Sequence, residues 1–384
     1  MRQADKSKKR GRAVVGLVLC ALIIATLIWL WSRERLLTEV AHPVLQLKDE
    51  KEKAFWFSAN QFLLIMTEHE SGSKDDRAGV NAHASYAGWH GSADLFDPTT
   101  HTRTHLTALT NLLTQTTLYP LLDPDSFEIS PDGAWILWDT DHAQESSYYR
   151  HTARLDGTHH RDWLRYGSEE YLFFGSHFLV QMAAVDPILV IRDLEDPAKD
   201  RKYLEPAPAK AAFAQYAAPD PYFTAVSETG GQNGSAGFAV LDTYHTQDRL
   251  ALILSDRDES QKAPQPVRAH EVPLPVHTTF HEEVVSPKQQ AIFYHLHVSR
   301  TLPILSWLQR FFPKIQPKPV LTEELWLSRI DGRDMHKIGH VPTRLDANGT
   351  AQEQLEHLQW RPDGKQISFV YHGTLYVLPM DTGK

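Results

Sequence analysis

Apolar and polar positions alternate in short runs along most of the chain, and these runs are separated by turn residues rather than joined into longer stretches. His357-Leu358-Gln359-Trp360 reads as a strand, Arg361-Pro362-Asp363-Gly364 as a turn, and Gln366–Tyr371 and Thr374–Pro379 as two further strands hinged at His372-Gly373. Pro fixes φ at the second turn position, Asp hydrogen-bonds its own backbone, and Gly tolerates positive φ. Residues 126–165 repeat the opening: Phe127-Glu128-Ile129, the Pro131-Asp132-Gly133 turn, Ala134–Trp138, then Tyr148–Leu155 and a strand around Asp162-Trp163-Leu164. Sustained 3.6-residue periodicity is scarce after residue 51, so the pattern predicts an all-β chain.

A second phrase marks the rhythm. Strands run into Asp and a turn residue at Asp97, Asp156, Asp196, Asp242, Asp331 and Asp381. Six returns of one hairpin unit imply a repeat architecture, and four-stranded units repeated around a ring are the blades of a β-propeller. With each Asp placed at the end of a blade's third strand, the spacing predicts six blades, with seven as the alternative. The 89 residues from Asp242 to Asp331 are the irregular interval. Only one strand pair is legible there, Glu283–Val285 with Ala291–His297, beside a Pro-rich loop near 258–276 and an apolar one near 301–320. The final unit ends after its third strand, and Val44–Leu47 is placed to supply the fourth and close the ring, since an open sheet edge is avoided.

The N-terminus breaks the β pattern. Residues 13–31 carry no charge, and nineteen helical residues span about 28 Å, close to the hydrocarbon thickness of a bilayer. Arg2, Lys6, Lys8, Lys9, Arg10 and Arg12 precede the run against one acid, Asp5, which places residues 1–12 in the cytoplasm and the remainder outside. The Trp-rich exit lacks a small-x-small cleavage site, so the segment reads as an uncleaved single-pass anchor in the inner membrane. The division expected is a basic tail (1–12), a transmembrane helix (13–31), a tether with the ring-closing strand (32–50) and a propeller (51–384).

The phrases Ile129–Leu137 and Trp360–Phe369, with the closing Thr374-Leu375-Tyr376-Val377, resemble the WD40-like repeat of TolB-type β-propellers. That resemblance implies a six-bladed propeller. It carries over no activity, because a membrane helix stands where TolB has an α/β domain, and propellers host many unrelated functions. Dipeptidyl-peptidase-type enzymes also join an anchor to a propeller, but this chain has no Gly-x-Ser-x-Gly elbow.

Composition narrows the function. A formal net charge of −9 argues against a nucleic-acid partner. The one cysteine, Cys20, lies in the apolar run, so neither a disulfide nor a thiolate metal site is available to the ring. The six recurring Asp read as turn formers. The 21 histidines include His101/His105, His277/His281 and His336/His340 at four-residue spacing, which suits metal only on a helix. His295 and His297 share a strand face with no acidic partner evident in the neighbouring sequence. No metal, cofactor or catalytic residue is therefore expected. The segment 302–315 is the most apolar insertion, and Leu305, Trp307, Leu308, Phe311 and Phe312 suit either packing on the ring or docking to a partner or the outer membrane interface. The reading favoured is a membrane-anchored, non-catalytic, extracytoplasmic protein-binding scaffold. The alternatives are a propeller hydrolase or lyase with a metal or histidine site at the central channel, and a carbohydrate- or peptide-binding sensor.

Overall fold

Strand hydrogen bonding groups the chain into six four-stranded antiparallel sheets among the described residues. The computed structural model describes residues 35–48, 52–69, 89–116, 127–130, 132–142, 147–165, 170–174, 178–182, 188–204, 222–230, 236–245, 249–258, 267–274, 278–287, 290–300, 309, 320–345, 351–352 and 354–380. The first sheet is Glu52–Ser58, Gln61–His69, Trp89–Asp97 and Thr102–His105. The second is Glu128–Ile129, Trp135–His142, Ser147–Arg154 and Arg161–Arg165, and the third Glu170–Phe174, Phe178–Met182, Ile188–Asp193 and Arg201–Leu204. The fourth is Tyr222–Gly230, Ala236–His245, Arg249–Asp258 and Val267–Pro273, and the fifth Thr278–Val285, Ala291–Arg300, Val320–Arg329 and His336–Pro342. The sixth takes Leu355–Trp360, Gln366–Tyr371 and Thr374–Pro379 from the end of the chain and His42–Gln46 from its beginning.

Five of the sheets are meanders in chain order, the sixth is completed by the N-terminal strand, and the first strand of one sheet lies against the first strand of the next. These contacts run from the sixth sheet to the first and on to the second, and from the third through the fourth and fifth to the sixth. First strands that touch around a common axis, with later strands stacked outward, make an all-β propeller. The core is accordingly divided among the sheet-to-sheet interfaces. Phe55, Ile65, Ile136 and Trp138 fill the one between the first and second sheets. Trp135, Leu137, Leu179 and Leu194 fill that between the second and third, and Trp56, Phe62, Val370 and Leu375 that between the sixth and first. Phe293, Leu325, Trp360 and Phe369 join the fifth to the sixth, where the Trp360 indole also donates to the Val284 carbonyl at 2.8 Å.

The N-terminal strand joins the ring edge directly. His42–Gln46 runs antiparallel to Thr374–Pro379, with His42 opposite Val377 and Gln46 opposite Thr374. Just before it, a one-turn helix (α1, Leu37–Val40) rests on the outer strand of the fifth sheet. Leu36 bridges His340 there, and the Leu37 side chain is fully buried against Gly339.

Three sequence expectations need correction. Asp242 does not end a third strand: it lies inside Ala236–His245, the second strand of the fourth sheet, opposite Phe223 and Ile253. That strand is ten residues long and runs past the Asp, so the third strand is Arg249–Asp258, and the interval before Asp331 holds the rest of the fourth sheet and most of the fifth. The scarcity of helical periodicity also hid a helix (α2, Thr107–Thr116), which buries Leu109 and Leu113, one helical turn apart, against the first and second sheets. The irregular interval, finally, contains the last two strands of the fourth sheet and the first three of the fifth rather than a single strand pair. The apolar run 13–31, Asp381 and the insertion residues Leu305, Trp307, Leu308, Phe311 and Phe312 lie outside the described residues. Among the described residues no helix is long and apolar enough to cross a membrane.

The turn residues act locally. In the 130–135 turn, whose Pro131 lies outside the described residues, Gly133 donates to the Ser130 carbonyl at 2.8 Å. The Asp132 carboxylate accepts the Ala134 amide at 3.0 Å. Gly133 has φ of +75°, and a Cβ there would stand 1.9 Å from the Phe57 carbonyl oxygen of the first sheet. Gly364, with φ of +73° in the matching Pro362-Asp363-Gly364 turn, has open space around it. Asp97, Asp156, Asp196 and Asp331 each accept a backbone amide two residues on. For Asp97 the Thr99 amide, and for Asp156 the Thr158 hydroxyl, holds the carboxyl below its ordinary range.

The second sheet buries a titratable column. His151 is 6% exposed and stacks with Trp138 at 5.2 Å and His160 at 5.5 Å, which also contact each other at 5.9 Å, and its Nε2 is 2.8 Å from the Thr140 hydroxyl. Burial, and then the neighbouring His160, lowers its pKa to about 4, against smaller opposing pulls from Asp162 and Asp139. A depressed histidine pKa means the unfolded chain takes up the proton first. Stability present above pH 6.5 is therefore expected to fall as pH drops from 6.5 towards 4, by up to about 3 kcal/mol from this group. Urea unfolding at pH 7 and pH 4.5 measures the fall, and His151→Gln is expected to remove most of it.

Candidate metal centre

At the fifth sheet the strand register assembles residues that are far apart in sequence. In the second strand His295 and His297 alternate with Leu296, so both imidazoles share one face of the sheet. The register sets His297 opposite Glu323 of the third strand. A β-bulge between Phe280 and Glu282 in the first strand brings His281 to the same place. Its ring lies 4.7 Å from that of His295, edge-on, and 5.3 Å from that of His297, nearly parallel. One ligand atom from each of His295, His297 and Glu323 lies within 4.8 Å of the others.

Burial and hydrogen bonding decide the electrostatics. His295 and Glu323 are both fully buried, His297 is half-buried and His281 is exposed, so the cluster opens to solvent on the His281 side. The Glu323 carboxylate is held from behind by the backbone amides of Gln354 at 2.9 Å and 3.0 Å and of Leu355 at 2.9 Å. Its front faces His295 Nε2 at 3.2 Å. Glu282 lies 3.7 Å from His295 Nδ1 on the other side. Burial alone would lower the His295 pKa, but hydrogen bonds and charge from Glu282 and Glu323 outweigh it and raise the value to about 9.

The adjacent Glu324 shows what the other face does. It is also fully buried, but it meets Arg300 at 2.9 Å, Lys337 at 3.0 Å and the Trp326 indole at 2.9 Å. One glutamate is thus neutralised by permanent cations, and the next is aimed at imidazoles.

The site has a defined place in the ring. Leu355 begins the first strand of the sixth sheet, so Glu323 marks the end of the molecule at which the first strands start, called here the upper end. The paired residues Arg300 and Val320, which bound the apolar insertion, lie at this same end of the fifth sheet. So does His340, which pairs with Glu324 and meets Leu36.

Sequence reasoning saw the shared face of His295 and His297 but found no acid for it. Glu323 is the missing acid, and only the strand register reveals it. His101/His105 and His336/His340 fall on turns and strands, where a spacing of four does not make a common helical face. The docking residues 305, 307, 308, 311 and 312 lie outside the described residues.

No protein-family model matches the chain, and no curated protein matches it. Solved structures similar to it include the β-propeller domain of the trilobed protease from Pyrococcus furiosus, at 8% identity over 87% of this chain and 100% of that one, with a TM-score of 0.38. An oligogalacturonate lyase from Vibrio parahaemolyticus is 10% identical over 88% of this chain and 90% of that one, with a TM-score of 0.39. An oligogalacturonate lyase in complex with manganese is 12% identical over 88% and 97%, with a TM-score of 0.35. Likeness at this level says nothing of activity.

Proposed function

We propose that this chain is a membrane-tethered, extracytoplasmic six-bladed propeller that works as a non-catalytic, protein-binding scaffold, with its upper end turned towards the bilayer. One observation supports the reading: Leu36 bridges His340 on the outer strand of the fifth sheet, the same sheet whose paired residues Arg300 and Val320 bound the insertion at its upper end. Four residues separate Trp31, the last of the apolar run, from Leu36, which bridges His340. Five fully extended steps reach at most about 18 Å, so an anchor at 13–31 would hold this part of the ring within that distance of the outer interface.

The insertion suits that position. Trp307, Phe311 and Phe312 among Leu305 and Leu308, with Arg310 and Lys314 as the only charges of 302–315, have the composition of a segment that sits at the headgroup boundary. The opposite end of the ring, which carries the Pro-Asp-Gly turns, is then left facing the extracytoplasmic space for a protein partner.

The insertion residues separate this from simple packing. In a chain beginning at Arg35, Trp307→Asp, Phe311→Asp and Phe312→Asp together are expected to leave the melting temperature unchanged while abolishing cosedimentation with mixed zwitterionic and anionic vesicles. A large fall in melting temperature would instead make these residues part of the core.

A further inference from the structure

We propose that His295, His297 and Glu323 form a binding site for a divalent transition ion of the zinc class, which clasps the fifth sheet to the start of the sixth. Two imidazole nitrogens and one carboxylate oxygen are a donor set that zinc accepts, and imidazole selects against calcium and magnesium. The three donor atoms already lie within 4.8 Å of one another. Bonds of about 2.0–2.2 Å to a shared ion require donors roughly 3.4 Å apart, a difference within the reach of side-chain rotation.

The surroundings are those of a ligand set rather than a chance meeting. Metal-bound carboxylates are themselves hydrogen-bonded from outside, and Glu323 is fixed by two backbone amides that leave its front free to face the imidazoles. A fully buried carboxylate needs a cation close by. Glu324 has Arg300 and Lys337, whereas Glu323 faces histidines, so a divalent ion held between them would supply the compensating positive charge. The half-buried His297 and exposed His281 leave a path from outside, and the fourth coordination position opens along it. Because Glu323 also holds Gln354 and Leu355, an ion here would pin the join between the two sheets.

Cobalt and zinc titrations of the full-length protein in detergent test the site, with elemental analysis after dialysis. The 21 histidines make loose binding elsewhere certain, so the readout is the visible absorption of a four-coordinate cobalt ion, which zinc should then displace. One equivalent per chain is expected, with a rise in melting temperature that magnesium and calcium do not produce. Both signals should weaken by at least about tenfold in His297→Ala and in Glu323→Gln. His297 is half-buried, so its variant remains informative should Glu323→Gln fold poorly. An identical cobalt spectrum and stoichiometry in wild type and His297→Ala, or no four-coordinate spectrum at all, would overturn the proposal.

Discussion

A chain beginning at Lys48 is expected to lose the cooperative unfolding of the ring, while one beginning at Arg35 keeps it. Removing 35–47 strips the sixth sheet of its outer strand and leaves Thr374–Pro379 as an unpaired edge. It also deletes the Leu47 amide bond to the Gly373 carbonyl at 2.9 Å and the Gln46 side chain's contacts with Thr374 at 2.7 Å and Gly373 at 3.1 Å. The buried Leu37, Ala41 and Leu47 are lost with them. Exposed strand edges template association, so the shorter chain should melt earlier and run as aggregates on size exclusion. Leu37→Ala isolates the packing share and should cost about 2–5 kcal/mol in urea unfolding, the range for emptying a buried leucine site. Equal melting temperatures for the two truncations would mean that the ring does not depend on its N-terminal strand.

The second large effect is expected at Glu323. Glu323→Ala would leave the Gln354 and Leu355 amides without their acceptor and strip His295 of its fully buried partner. Removing one member of a buried ion pair costs about 3–5 kcal/mol. Glu323→Gln keeps an acceptor oxygen for the amides and should cost distinctly less. Urea unfolding of both variants without added metal gives the comparison. Equal costs would show that charge plays no part in holding the fifth and sixth sheets together.

How much of this was legible in the sequence depended on distance along the chain. Gln366–Tyr371 and Thr374–Pro379 were readable to the residue, because both are short, rich in apolar and aromatic residues, and set off by the turns at Gly364 and Gly373. Residues 127–165 read nearly as well for the same reason. Asp242 misled because an Asp inside a ten-residue strand looks, locally, like an Asp that ends one. Helix α2 was missed because Thr-Ala-Leu-Thr-Asn-Leu-Leu-Thr-Gln-Thr spends few apolar residues on its buried face. The candidate site was half legible. His295-x-His297 announces a shared strand face, but Glu323 joins it only through a register set by hydrogen bonds across a connection of nineteen residues, and His281 only through a bulge. Pairing register is a property of the assembled sheet, which no local pattern contains.

The same geometry locates the exceptional part of the repeat. The longest connection between two strands of the fifth sheet leaves and returns beside the histidine–glutamate cluster, and the N-terminal tether arrives on the outer strand of that sheet. The N-terminal segment, the ends of an apolar insertion and a buried polar site on one sheet mark it as the place where this ring departs from a plain propeller.

The orientation claim is tested most directly by energy transfer to a lipid-phase acceptor in proteoliposomes, in a Cys20→Ser background. One donor is placed at Gln309→Cys, in the insertion, and the other at Lys365→Cys, exposed on a Pro-Asp-Gly turn at the opposite end. Strong transfer from position 309 and weak transfer from position 365 is the expected result. Equal transfer from both, or stronger transfer from position 365, would contradict an upper end that faces the membrane.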